Sequence, residues 1–188
     1  MSAHRVRKLR SDDFAVIMTL EESIFGAAGE GVLGPYYVRL CCDFFYDSCF
    51  IATVDEQAAG YLLSFIRDRE AYCTTLAVVP EWQGTKVVHR LIREFVRAIA
   101  PRVDSCWFTV KEDNQAARAV HAALGAQVVG RKRDFYGPGD DRLVSRVDRE
   151  TFDKLRARYE RLGLIEGEAS GAKRREAAKV AADAVRSS

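Results

Sequence analysis

Proline and glycine are sparse in this chain, four and thirteen among 188 residues. That excludes collagen-like structure and argues against a wholly disordered chain. No apolar run approaches the length that crosses a bilayer; the longest, residues 38–50, is broken by Arg39, Asp43 and Asp47. The first residues, MSAHRVRKLRSDDF, lack the apolar stretch of a secretory signal. Cysteines number five, without CxxC spacing, and no HxxxH accompanies them. An odd count with no paired spacing speaks against a disulfide framework and for a reducing, cytoplasmic setting, with no metal expected. Excess charge is missing too. Residues 1–148 carry 19 Lys and Arg against 20 Asp and Glu, leaving ten against seven beyond them. Nucleic acid needs a clustered basic face, which this balance does not supply.

What is there is enough to build a core: 48% of residues are apolar and 30% charged. Residues 4–9 read as a first strand. Ser11, followed by Asp12 and Asp13, reads as a helix N-cap, and Phe14, Ile17, Leu20, Glu21 and Ile24 form a helical stripe ending at Gly26. Residues 27–35 carry three glycines and a proline and predict a loop; residues 36–46 predict a second helix. Strands at 49–54 and 59–66 flank a turn at Asp55-Glu56-Gln57 and make a hairpin. A buried strand spans 72–79. Val88, Leu91, Ile92, Phe95 and Ile99 then mark one face of a helix that Pro101 closes. A strand at 106–110 leads to a short helix behind Asp113-Asn114, closed by Gly125. The last hairpin joins residues 128–136 to 143–147. Phe152, Leu155, Tyr159 and Leu162 predict a further helix, and residues 166–188, rich in Ala, Lys, Arg and Glu, predict a frayed or disordered tail. This order gives one α/β domain with a mixed, mostly antiparallel sheet flanked by helices over 1–148, and a C-terminal helical extension over 149–188.

One join carries chemistry. In LAVVPEWQGTKVV, residues 76–88, a strand runs through a short loop directly into an amphipathic helix. Such a join aims backbone N–H groups and a positive helix end at one point, which suits a phosphate. LAVVPEWQG, with the helix behind it, is similar to the coenzyme A-binding motif of the GNAT acyltransferase superfamily. Asn114, Ala117 and Gly125 fall at the spacing of that family's later motif, and Arg133-Asp134-Phe135-Tyr136 with Asp141-Arg142-Leu143-Val144 resembles its closing hairpin. The resemblance covers about residues 4–148.

The resemblance implies an N-acyltransferase using acetyl-CoA, or another acyl-CoA, to modify a primary amine of a small molecule, peptide or protein by direct attack in a ternary complex. It places the pantetheine arm on the backbone of Leu76, Ala77 and Val78. The pyrophosphate falls on Gln83, Gly84, Thr85, Lys86, Val87 and Val88, and the thiol end near Asn114. His121 stands where the family often has a tyrosine acting as general acid, and an imidazolium could do that work. Tyr136 is the second candidate.

Two departures leave alternatives open. Lys86 and Val88 occupy positions where the family prefers small residues that let backbone approach the pyrophosphate. Either the Lys86 ammonium compensates, or the loop no longer holds the coenzyme and the chain is a degenerate binding or interaction module. The general base is unassigned: Thr109 stands where relatives carry a glutamate, and Glu21, Glu22 and Glu70 remain. Asp43, Asp47, Asp140 and Asp141 are expected near a cationic amine on charge sign alone. A homodimer through the last helix is a further possibility; a basic-tailed nucleic-acid-associated protein is a weaker one.

Overall fold

The computed structural model describes residues 3–28 and 31–161. Its centre is a seven-stranded sheet in the order β1-β2-β3-β4-β5-β7-β6. The strands are β1 (His4–Lys8), β2 (Phe50–Val54), β3 (Gln57–Arg67), β4 (Glu70–Val78), β5 (Ser105–Val110), β6 (Gln127–Lys132) and β7 (Arg142–Asp148). All pairings are antiparallel except β4 with β5. The helices are α1 (Phe14–Glu21), α2 (Pro35–Asp43), α3 (Lys86–Ile99), α4 (Gln115–Ala123) and α5 (Arg149–Arg161). This is the α/β architecture the sequence predicts.

Two apolar layers sandwich the sheet. On one face α3 buries Val87, Leu91, Ile92, Phe95, Val96 and Ile99 against Phe50, Leu62, Cys73, Val78 and Phe108. Each such side chain contributes about 1.5–3 kcal/mol by leaving water. On the other face α1 and α2 bury Ile17, Leu20, Val38, Cys41 and Cys42 against Ile51, Tyr61 and Leu63. The five cysteines are buried and unpaired. The first turn of α5 joins the α3 layer: Phe152 is buried there and Arg149 donates to the carbonyls of Ala100 and Val103. Leu162 and the predicted tail lie outside the described residues.

Local chemistry sets the boundaries. Asp55 and Glu56 take left-handed conformations and close the β2–β3 turn. At Gly60 a Cβ would meet the Ala77 carbonyl oxygen at 2.5 Å, so only glycine lets β3 approach β4 there. The start of α1 differs from expectation. Ser11 begins a 3-10 turn whose N-cap is Arg10, and Asp13, its third residue, accepts from the Arg10 amide through Oδ2 at 2.7 Å. Burial works against the Asp13 carboxylate, but two hydrogen bonds from Arg7, at 2.6 and 2.7 Å, hold it below its ordinary range. After Glu21, α1 widens into a π-helical turn over Glu22–Gly26.

Candidate functional site

The sheet splits in its middle. β4 and β5 pair only from Glu70–Cys73 to Ser105–Phe108. Beyond Cys73 the strands diverge, so the backbone from Thr74 to Val78 has no partner on the β5 side. A bulge at the same point, between Leu63 and Ser64 in the β3–β4 register, puts Thr74 out of step.

The freed edge leads straight into the loop before α3. Pro80–Trp82 form a 3-10 turn, and the Gln83 side chain donates to the Val78 carbonyl at 3.0 Å, tying the loop to the strand end. Gly84 has φ +71° with open space on its Cβ side. Thr85 caps α3, accepting from the Val87 amide at 3.3 Å and donating to the Trp82 carbonyl at 2.6 Å. Among the described residues the amides of Gly84, Lys86 and Val88 have no hydrogen-bond acceptor. Lys86 is exposed at the first helical position; Val88 is half-buried against the core. The loop therefore offers free amides, a positive helix end and an ammonium.

Across the split, Asn114 caps α4, its Oδ1 accepting from the Ala117 amide at 3.0 Å. His121 sits one layer in, its ring 4.6 Å from that of Phe108. It lines a cavity of about 20 Å³ with Leu62, Cys73, Leu76 and Ile92, room for roughly one water. Its Nδ1 is buried and without a partner, and burial lowers the imidazole to about 4. The resting form is neutral. The apolar surroundings disfavour the charged imidazolium.

Tyr136 is on the opposite face of the sheet. Its hydroxyl lies 3.2 Å from that of Tyr72 and 3.4 Å from Thr109 Oγ1, which are themselves 2.9 Å apart. Consecutive residues of β5, Phe108 and Thr109, face His121 and Tyr136 respectively, so the structure does not bring these two candidates together. Beside the trio, Tyr37 donates to Thr74 Oγ1 at 2.6 Å while Thr74 donates to the Leu63 carbonyl at 3.1 Å. Sequence reading missed this hydroxyl row; Tyr72 and Thr74, two apart on one strand, were the available signal.

The family model for the acetyltransferase (GNAT) family matches residues 15–126. The chain belongs to the GNAT acetyltransferase family. No curated protein matches it. Solved GNAT structures share its fold at low identity. The ribosomal-protein-S18-alanine N-acetyltransferase from Escherichia coli is 18% identical, with a TM-score of 0.67 over 78% of this chain and 94% of that one. Diaminobutyrate acetyltransferase EctA from Paenibacillus lautus, solved with L-2,4-diaminobutyric acid and coenzyme A, is 15% identical, with a TM-score of 0.65 over 79% and 96%. Arabidopsis thaliana Naa50, solved with the bisubstrate analogue CoA-Ac-MVNAL, is 12% identical, with a TM-score of 0.66 over 77% and 98%.

In this GNAT domain the expected carboxylates are engaged elsewhere. Glu21 is fully buried, accepting from the Tyr61 hydroxyl and, at 2.8 Å, from the Leu33 amide. Glu70 accepts from Ser105 and Trp107, which hold it below the ordinary range, and it stands at the far end of the β4–β5 pairing. Glu22 is exposed at the start of the π-helical turn. The aspartates expected to meet a cationic amine are paired with arginines: Asp43 with Arg39, Asp47 with Arg102, Asp140 with Arg142 and Asp141 with Arg131. Among the described residues no cluster of three or more His, Cys, Asp or Glu could hold a metal, and no helix is long and apolar enough to cross a membrane.

Proposed function

We propose that this chain is an N-acyltransferase that moves an acetyl group from acetyl-CoA to a primary amine by direct attack in a ternary complex. The observation that carries the reading is the divergence of β4 from β5 after Cys73 and Phe108, with its unpaired edge running into free loop amides. Backbone of Leu76, Ala77 and Val78 would pair with pantetheine, and Gln83 to Val88 would hold the pyrophosphate, Lys86 adding charge. The Asn114 amide nitrogen, left free by the cap, and neutral His121 would line the thiol end.

The amine nitrogen bonds to the thioester carbonyl carbon, the C–S bond breaks, and the thiolate takes a proton while the amine loses one. A neutral imidazole is a poor donor, so the acid role passes to Tyr136, oriented by Tyr72 and Thr109. The amine proton leaves through these hydroxyls to solvent. Five buried thiols support a reducing, cytoplasmic setting. Val88 favours a second reading, a degenerate coenzyme-binding or interaction module, because it stands where the family prefers a small residue.

Calorimetric titration with acetyl-CoA, followed by an amine screen for thiol release, tests the assignment. Micromolar binding with turnover is expected. Silence at millimolar acetyl-CoA sinks the enzyme reading and leaves the degenerate module.

A further inference from the structure

The face of the sheet that carries Tyr72 and Tyr136 is only partly roofed. α1 and α2 pack over β2 and β3, while α3, α4 and α5 lie on the other face. A single rung of paired residues crosses the open part: Phe65 on β3 opposite Tyr72 on β4, Tyr72 opposite Trp107 on β5, Trp107 opposite Arg146 on β7. All four are half-exposed on one face. The Phe65 and Tyr72 rings are 5.7 Å apart, and the Arg146 guanidinium lies 5.0 Å from the Trp107 ring centroid. Tyr136, at the edge of this strip, is 60% exposed. Aromatics with arginine are the composition of protein-binding patches.

Arg146 is the unusual member. Its Nε is buried without a hydrogen-bond partner, and it forms no ion pair among the described residues. The nearby Glu70 is committed to Ser105 and Trp107, and Asp148 to the Thr151 amide. A guanidinium stacked on an aromatic ring and outside any ion pair among the described residues is suited to a carboxylate.

Resting on the acyltransferase reading, we propose that the acceptor is a polypeptide lying extended across this rung, and that Arg146 binds an acidic side chain about three residues from the reacting amine. With the amine at the Tyr72–Tyr136 hydroxyls, Arg146 is two strand spacings away, about 10 Å, which three extended residues span. Glu70 and Asp148 lie near Arg146, so a polyanion such as single-stranded nucleic acid is repelled more strongly than a single carboxylate.

The test is an anisotropy titration of the full chain with labelled hexapeptides carrying a free amino terminus. Glu is placed at each of positions two to five and compared with Gln. A Glu peptide is expected to bind about tenfold tighter than its Gln counterpart, with the largest gain at position three or four. Arg146→Gln should abolish the gain, so that Glu and Gln peptides bind alike. Arg146→Lys should keep part of it, and Arg146→Glu should invert it toward a Lys peptide. Equal binding of Glu and Gln peptides, a gain surviving Arg146→Gln, or tighter binding of oligothymidylate than of any peptide overturns the proposal. Acetyl-CoA calorimetry and thiol release run beside it separate the two claims. Acetylation of small diamines with no peptide discrimination sinks only the peptide assignment. Peptide discrimination without coenzyme binding sinks only the enzyme reading.

Discussion

His121 lies against Phe108 with ring centroids 4.6 Å apart, and burial there lowers its imidazole to about 4. An unfolded histidine titrates near 6.5. Between these values the unfolded chain binds the extra proton, so the stabilisation is full above about pH 6.5 and is lost as pH falls toward 4. The loss has an upper limit of about 3 kcal/mol, since the ring keeps some solvent contact. Urea unfolding from pH 4 to 8 should show that slope, and His121→Phe should flatten it. An unchanged slope in the variant places the titration elsewhere.

The Tyr136 hydroxyl is held by Tyr72 and Thr109. Tyr136→Phe should lower kcat about 100-fold with the KM for acetyl-CoA unchanged, the size of a lost proton donor. Tyr72→Phe, which removes only orientation, should cost about tenfold. Steady-state thiol release checks both, and full activity in Tyr136→Phe removes it from the chemistry.

Lys86 is exposed at the first position of α3, where we propose that its ammonium meets the coenzyme's phosphates. Lys86→Ala should weaken coenzyme A binding about tenfold at low salt and less at high salt, where screening already blunts the charge. Val88→Ala should tighten binding a few-fold by opening the loop. Calorimetry at two ionic strengths reads both, and an unaltered Kd in Lys86→Ala leaves the amides as the whole site.

Glu21 joins the end of α1 to β3 through Tyr61 and to the following loop through the Leu33 amide. Glu21→Ala leaves a buried hydroxyl and a buried amide unpaired, at about 3 kcal/mol, or a Tm lower by about 10 °C. Glu21→Gln should cost less than half as much. Thermal unfolding measures both, and a Tm within 2 °C of wild type for Glu21→Ala contradicts the role.

The element order was readable because periodicity reports burial directly. The α3 stripe Val88-Leu91-Ile92-Phe95-Ile99 and the glycines of the loops are local signals. What stayed hidden depends on registers between distant strands. Nothing near Thr109 announces that it meets Tyr72, 37 residues earlier, or that Arg146 lands on Trp107. Glu21 shows the same limit: it fell on the buried side of its helical stripe, yet only the tertiary pairing to Tyr61 shows why a carboxylate is tolerated there. The opposite faces of His121 and Tyr136 follow from strand alternation at Phe108 and Thr109, which sequence alone does not orient.

The four residue pairs between β4 and β5 join the two halves of the molecule like the spine of a book. Four strands with α1 and α2 hang on one cover, three strands with α4 and α5 on the other, and α3 packs chiefly on the first while reaching Phe108 of the second. A guest that threads the gutter would complete the missing rungs for Leu76 and Val78 and fix the angle between the covers. Amide exchange at those positions should slow by orders of magnitude on loading, while the outer strands β1 and β6 stay as they were. The page that is missing sets the stiffness of the whole volume.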